Sequence, residues 1–119
     1  MADFGTKALG KPDETRSFDH GTVELVKLGG HSIGRVNFEP GWKWSEAVKP
    51  IAKTDSCQMN HVGYVIAGRL HVVMDEGTEM TLGAGDAYVV APGHDAWVEG
   101  NETFQSVEFE SLADYAKPK

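Results

Sequence analysis

The feature that most constrains the fold is the stretch at residues 63–73, GYVIAGRLHVV, in which two short apolar runs are joined through Gly68. Each run is too short for a stable helix, and short runs rich in Val and Ile that are bounded by glycine are typical of buried β-strands. We therefore predict two strands, at residues 59–66 and 69–74, around which the rest of the domain is arranged.

The rest of the sequence continues this pattern of short strands between turns. Further strands are predicted at residues 22–28, 32–38, 79–82, 87–91, 95–99 and 104–110. Residues 41–56 show no regular period, and Pro50 forbids a long helix there, so we predict a long loop that covers one mouth of the fold. Many short strands without an amphipathic helix are typical of an all-β sandwich or barrel.

Length and charge restrict the classes of function. The 119 residues suffice for one domain, and the formal net charge of -7 argues against nucleic acid or an anionic membrane as a partner. A single cysteine cannot form an internal disulfide, and we find no apolar run typical of a signal peptide or a membrane span. We therefore predict a cytoplasmic protein with a flexible N-terminal arm over residues 1–18, a barrel over 19–114 and a C-terminal tail over 115–119.

The turns around the central strands follow a fixed succession, carried by Gly68, Gly85, Asp86, Pro92 and Gly93. Through this succession, residues 36–110 resemble a cupin. The resemblance implies an all-β double-stranded β-helix, also called a jelly roll, with a site at the mouth of the barrel. It also implies a homodimer that forms through sheet edges and the N-terminal arm.

The resemblance also marks the positions at which cupins place metal ligands, although this chain carries different residues there. Cys57 occupies the position of the second histidine of the first motif, and His61 occupies that of the glutamate. Asp55 stands at the position of the first histidine, and Ala96 at that of the histidine in the second motif, with His94 two residues earlier. Cys57 and His61 are four residues apart, so they face one side of an extended strand. His94 is two residues before Ala96, so the resemblance implies that it points into the same barrel mouth.

Cys57, His61 and His94 are therefore predicted to be metal ligands that leave one coordination position open. A thiolate with two imidazoles suits a divalent transition metal, with Zn, Fe, Cu, Ni and Mn as candidates. Haem iron is an alternative, and a protein without metal is another. Each residue also has a structural interpretation: Cys57 as a small apolar core residue, His61 as a core histidine, and His94 as a turn residue paired with Asp95.

Aromatic residues near the same mouth suggest a pocket for a small organic molecule. The predicted ligand-contacting residues are Trp42, Trp44, Met59, Tyr64 and Trp97. Flat apolar side chains with a few polar groups are typical of small-molecule sites. Core packing is the alternative interpretation for each of them.

The function predicted from these features is binding of a small molecule in a barrel-mouth pocket, with a divalent transition metal as a candidate component. Two alternatives stay open: a metal-dependent enzyme of the oxygenase, isomerase or lyase type, and a metal-free ligand sensor. A third is a structural role in which the protein mainly dimerises. The sequence does not decide whether the protein is an enzyme.

Overall fold

The structure is a computed structural model that describes residues 4–112 and 115–116. The described part of the chain consists mainly of β-strands, with two single-turn helices in one loop. The elements are β1 (Glu14–Phe18), β2 (Gly21–Leu28), β3 (His31–Phe38), α1 (Trp44–Ala47), α2 (Lys49–Ala52), β4 (His61–Ala67), β5 (Arg69–Met74), β6 (Glu79–Gly83), β7 (Ala87–Val90), β8 (His94–Glu99) and β9 (Phe104–Phe109). Within this part of the chain, no helix has the length and apolar content needed to span a lipid bilayer.

The strands form two antiparallel sheets. The larger sheet has the order β1-β2-β3-β9-β4-β7, and the smaller has the order β6-β5-β8. The consecutive strands β4 and β5 therefore lie in different sheets, and the chain crosses from one sheet to the other at Gly68. This arrangement confirms the predicted all-β jelly roll, and the strands lie close to the predicted positions.

Gly68 permits the change of sheet. Its φ is +77°, and a Cβ atom there would lie 2.6 Å from the carbonyl oxygen of Thr103 and 2.8 Å from the Cα of Phe104. Glycine adopts such a φ without steric strain, and its lack of a side chain leaves room for the neighbouring backbone. The glycine that defines the sequence pattern is thus required by the backbone geometry.

The core lies between the two sheets. Alternate residues of a strand face inward, as in β9, where Phe104, Ser106 and Glu108 are buried. Trp42, from the loop after β3, stacks on Phe38 with a ring-centroid separation of 3.7 Å. Because full burial of a large apolar side chain contributes about 1.5–3 kcal/mol, this loop helps to stabilise the fold as well as covering one end of it.

The loop between β3 and β4 is irregular, as expected, but it contains the single helical turns α1 and α2. Pro50 lies in the first turn of α2, where backbone N–H groups make no hydrogen bond within the helix. Proline, which has no N–H group, is therefore tolerated there. Two isolated bridges, Lys43 with Trp97 and Cys57 with His94, attach the two ends of the loop to β8. The loop is therefore held against the smaller sheet at both ends.

The N-terminal region differs from the expectation. Residues 14–18, which fall within the predicted arm, form β1 and pair along the edge of β2. The guanidinium of Arg16 donates hydrogen bonds to the carbonyl oxygens of Leu112 at 3.0 Å and Tyr115 at 2.6 Å. The edge of β2 supplies backbone partners that the local sequence does not reveal. The division into arm, barrel and tail stays a prediction, and part of it, at residues 1–3, 113–114 and 117–119, lies outside the described residues.

Candidate metal centre

The three predicted metal ligands lie together. Cys57, His61 and His94 are buried, and one ligand atom from each lies within 4.8 Å of the others. The amide of Cys57 donates a hydrogen bond of 2.8 Å to the carbonyl oxygen of His94, which holds the two residues side by side. His61 begins β4 in the larger sheet and His94 begins β8 in the smaller sheet, so the group is assembled from both sheets.

Each histidine is oriented by a contact at its Nδ1 atom. The Nδ1 of His94 lies 2.7 Å from the carbonyl oxygen of Ala91, which can only accept, so this nitrogen carries a proton and Nε2 is left to bind an ion. The Nδ1 of His61 lies 2.7 Å from Oε1 of Glu108, and its Nε2 lies 3.6 Å from Sγ of Cys57. Histidines that bind metals are commonly oriented in this way by a carbonyl or a carboxylate.

The chemistry of the donor set fits a transition metal. Zinc binds cysteine sulfur at about 2.3 Å and histidine nitrogen at about 2.0–2.1 Å, which places the ligand atoms of a tetrahedral site roughly 3.3–3.8 Å apart. Here Sγ of Cys57 and Nε2 of His61 are 3.6 Å apart, which is within that range, and all three ligand atoms lie within 4.8 Å of one another. Three protein ligands leave a fourth position free, as in zinc sites that bind a water or a substrate.

Burial and hydrogen bonding act in opposite directions on the thiol and on its histidine neighbour. Burial raises the pKa of Cys57, but hydrogen bonds with His61 and His94 lower it by more, so the net pKa falls to about 7. Burial lowers the pKa of His61, but the charge of Glu108 and the hydrogen bond with Cys57 raise it to about 10. A metal ion must therefore displace the proton that lies between Cys57 and His61.

Glu108, on β9, fixes the position of His61. Its Oε2 accepts a hydrogen bond of 2.7 Å from the hydroxyl of Tyr88, and its Oε1 accepts one of 2.9 Å from Ser111. Burial and the charge of Glu108 raise the pKa of Tyr88, which keeps that hydroxyl protonated as a donor. Glu108 is not among the site residues predicted from the sequence. The alternation of β9, which places Glu108 on the inner face with Phe104, is the signal that identifies it.

A cavity of about 30 Å³ is lined by both histidines and by Trp42 and Trp44, which are each 2% exposed. The other predicted ligand-contacting residues lie outside this lining. Met59 packs against the core from a partly buried position, and Tyr64 faces solvent with 48% of its surface exposed.

Two of these residues lie outside the lining for different reasons. The alternation of β4 turns Gly63 and Val65 inward, and Tyr64 between them therefore points outward. The ring of Trp97 lies 4.8 Å from that of His71, and the Nζ atom of Lys43 lies 5.3 Å from the centroid of the Trp97 ring. Contact of any of the five residues with a ligand stays a prediction.

No protein-family model matches this sequence, and no curated protein matches it either. Solved structures do match. A RmlC-like cupin from Shewanella frigidimarina is 18% identical over 96% of this chain and 98% of its own, with a TM-score of 0.60. The polyketide cyclase RemF from Streptomyces resistomycificus is 14% identical over 91% of this chain and 79% of its own, with a TM-score of 0.62.

A third similar structure is the oxalate decarboxylase of Lactobacillus farciminis in its formate complex, which is 17% identical over 89% of this chain and has a TM-score of 0.57. The match covers 31% of that longer protein. At such low identities the similarities establish the architecture and leave the activity open. The two-sheet topology, the change of sheet at Gly68 and the agreement with these structures over nearly the whole chain lead to one conclusion: this protein has the cupin fold.

Proposed function

We propose that this protein binds a transition metal ion through Cys57, His61 and His94, and that the ion holds a small organic ligand in the adjoining cavity. The observation that carries the proposal is the orientation of the histidines. Separate Nδ1 partners, Glu108 for His61 and Ala91 for His94, leave the Nε2 atoms to face an ion beside the thiol of Cys57. Such partners commonly accompany metal-binding histidines.

The donor chemistry favours some metals over others. One thiolate with two imidazoles suits Zn²⁺, Fe²⁺ or copper, whereas Mn²⁺ prefers oxygen ligands. Zn²⁺ is the first candidate because three protein ligands and one open position are typical of its ligand-binding sites. A bound ion of this kind supplies Lewis acidity to an oxygen or carbonyl group of the ligand.

The protein's own residues have separable tasks in this proposal. Glu108 holds His61 in place through its Oε1 atom, and the apolar walls of the cavity keep bulk water away from the ligand. Catalysis on the bound molecule is the alternative that turnover measurements would establish. A metal-free ligand sensor is the other alternative, and it is favoured if the ligand binds without the ion.

The test is metal content and metal-dependent stability. Protein prepared without imidazole is expected to bind close to one equivalent of Zn²⁺, and excess ion at about 100 times its Kd should stabilise the fold by about 2.7 kcal/mol. His94→Ala should abolish this gain, whereas the matched control His71→Ala, which changes a histidine on the outer face, should keep it. Less than about a tenth of an equivalent, with no gain in stability on metal addition, contradicts the proposal.

We also propose that two copies associate through an outer apolar patch. The patch consists of Val62, Tyr64, Ile66, Val89 and Phe109, whose exposed fractions range from 41% to 68%. Val62 and Val89 are cross-strand partners on β4 and β7, and β7 ends the larger sheet. The patch contains no charged residue, so two chains of net charge -7 can meet there without bringing carboxylates together. A cytoplasmic location stays a prediction, which the single free thiol supports.

A further inference from the structure

We infer that the cavity receives a small carboxylate, whose oxygens accept hydrogen bonds from the indole N–H groups of Trp42 and Trp44. This inference deepens the proposed function and rests on it, because the same ligand would reach the open position of the metal. The observation behind it concerns unpaired donors. In the part of the chain that the structure describes, the buried side-chain nitrogen and oxygen atoms without a hydrogen-bond partner are Nε1 of Trp42 and Nε1 of Trp44.

Both unpaired donors belong to rings that line the same cavity. A buried donor without a partner destabilises a protein, and native structures contain few of them. Because both belong to rings that line one cavity, we assign their missing acceptors to an occupant of that cavity. An indole N–H group can only donate, so the occupant must present lone pairs.

The remaining polar groups of the cavity restrict the occupant further. The oxygens of Glu108 are already engaged by His61, Tyr88 and Ser111. The Nδ1 atom of His94 is engaged by Ala91. The cavity wall therefore offers two free indole donors and no free carboxylate oxygen, and in the metal-loaded protein the Nε2 atoms of both histidines would be engaged by the ion. These groups then leave an ammonium without an acceptor, whereas a carboxylate matches two donors with two oxygens.

The size of the cavity agrees with a group of this kind. A buried water molecule needs roughly 10–15 Å³ of such space, and the cavity measures about 30 Å³. It therefore has room for about two water-sized spheres, which is comparable to the three bonded non-hydrogen atoms of formate. Two water molecules also fit this volume, and they are the competing occupant.

The three tryptophans of the chain make a direct test available. The indole groups of ¹⁵N-labelled protein should give three N–H signals, and Trp97→Phe identifies the signal from outside the cavity. We expect titration of the Zn²⁺-loaded protein with sodium formate, the smallest carboxylate, to shift the other two signals downfield in a saturable manner. The Trp97 signal should not move, since that residue lies outside the cavity lining.

Two matched probes separate a carboxylate from other occupants. Formamide has nearly the same size without the charge, and sodium chloride controls for ionic strength. Trp44→Phe removes one donor, and it should weaken formate binding by about 10-fold or more because hydrogen bonds to charged groups contribute more than neutral ones. The titration of the unaltered protein is decisive even if this variant does not fold.

The outcomes distinguish this inference from the proposed function. If Zn²⁺ binds and formate leaves both cavity indoles unmoved, the inference is wrong and the metal proposal stands. If Zn²⁺ does not bind but formate still shifts both signals in the metal-free protein, the metal proposal fails and the carboxylate site stands. Equal shifts with formamide or chloride overturn the inference, because the site then does not select a carboxylate.

Discussion

The fold contains one histidine–carboxylate pair in its interior and another on its outer face, and the two histidines lie on strands joined by Gly68. His61 on β4 contacts Glu108 at 2.7 Å, and their side chains are 9% and 7% exposed. His71 on β5 contacts Glu79 at 2.6 Å, and their side chains are 16% and 57% exposed. The distances are nearly equal, whereas the surroundings differ. Separation alone therefore does not determine what an ion pair contributes to stability.

The surroundings determine whether water or another side chain can solvate a charged group after its partner is removed. Outside, Glu99 also contacts His71, at 2.9 Å, and solvent can hydrate any group that loses its partner. Inside, Glu108 is enclosed by the side chains that donate to it. Loss of one member of the inner pair therefore leaves the other buried and poorly solvated.

The largest expected effect follows from breaking the inner pair. Glu108→Gln in metal-free protein should lower the free energy of unfolding by about 3 kcal/mol, because His61 then loses the buried carboxylate and keeps only its contact with Cys57. Glu79→Gln, the matched change outside, should lower it by about 1 kcal/mol or less. Urea unfolding of both variants measures the difference. Equal losses for the two variants would show that burial does not distinguish the pairs.

Much of the fold could be predicted from the sequence because local patterns specify it. Gly68 and the period of two along the strands predict the two central strands, and the same period places Cys57 and His61 on one side. His94, which belongs to the other sheet, is placed beside them only through the resemblance to cupins. A pattern of period two does not say which of its two faces is inside. For this reason Tyr64 was assigned to the pocket, although it faces solvent.

The carboxylate of the candidate site could not be predicted as a partner of His61. Glu108 lies 47 residues further along the chain, and it reaches His61 only because β9 pairs with β4. Nothing in the local sequence of either strand specifies that pairing. The inward position of Glu108 was predictable from the alternation of β9, but its partner required the order of strands in the sheet.

The next largest expected effect concerns the outer apolar patch and the self-association proposed for it. Val62→Lys places a charge in the middle of the outer apolar patch and should weaken self-association by 10-fold or more, on the order of the loss of one interface anchor. Sedimentation velocity over a concentration series measures this effect. Ser17→Lys, on the exposed face of β1, is the control and should leave association unchanged. A wild-type protein that stays monomeric at every concentration contradicts the proposed dimer.

The smallest expected effect concerns a charged pair on the larger sheet. The Arg35 guanidinium donates to both oxygens of Glu24, at 2.9 and 3.1 Å. Hydrogen bonds from Arg35 and then Asn37 lower the pKa of Glu24, although burial opposes them. A lowered folded-state pKa contributes stability above the unfolded value of about 4.5, and this stability is lost as the pH falls through the folded-state pKa.

Replacing the Glu24 carboxylate should therefore make the free energy of unfolding depend less on pH in the acid range. Glu24→Gln is expected to remove about 1 kcal/mol or less at neutral pH and nothing at a pH below both pKa values. Unfolding free energies measured from neutral to acid pH test this sign. Glu39→Gln, at an exposed position after β3, serves as the control. A loss that grows as the pH falls would contradict the assigned direction.

The central position of β9 has a consequence for how the chain folds. Phe104–Phe109 pairs with β3 on one side and with β4 on the other, so the larger sheet stays divided until a late segment of the sequence has been synthesised. Until then β3 and β4 each expose an unpaired edge, which is the kind of surface through which incomplete chains aggregate. Insertion of β9 pairs strands that are far apart in sequence, and such pairings form slowly. We expect folding to be limited by insertion of this strand, and a ribosome-bound chain that ends before residue 104 to depend on chaperones.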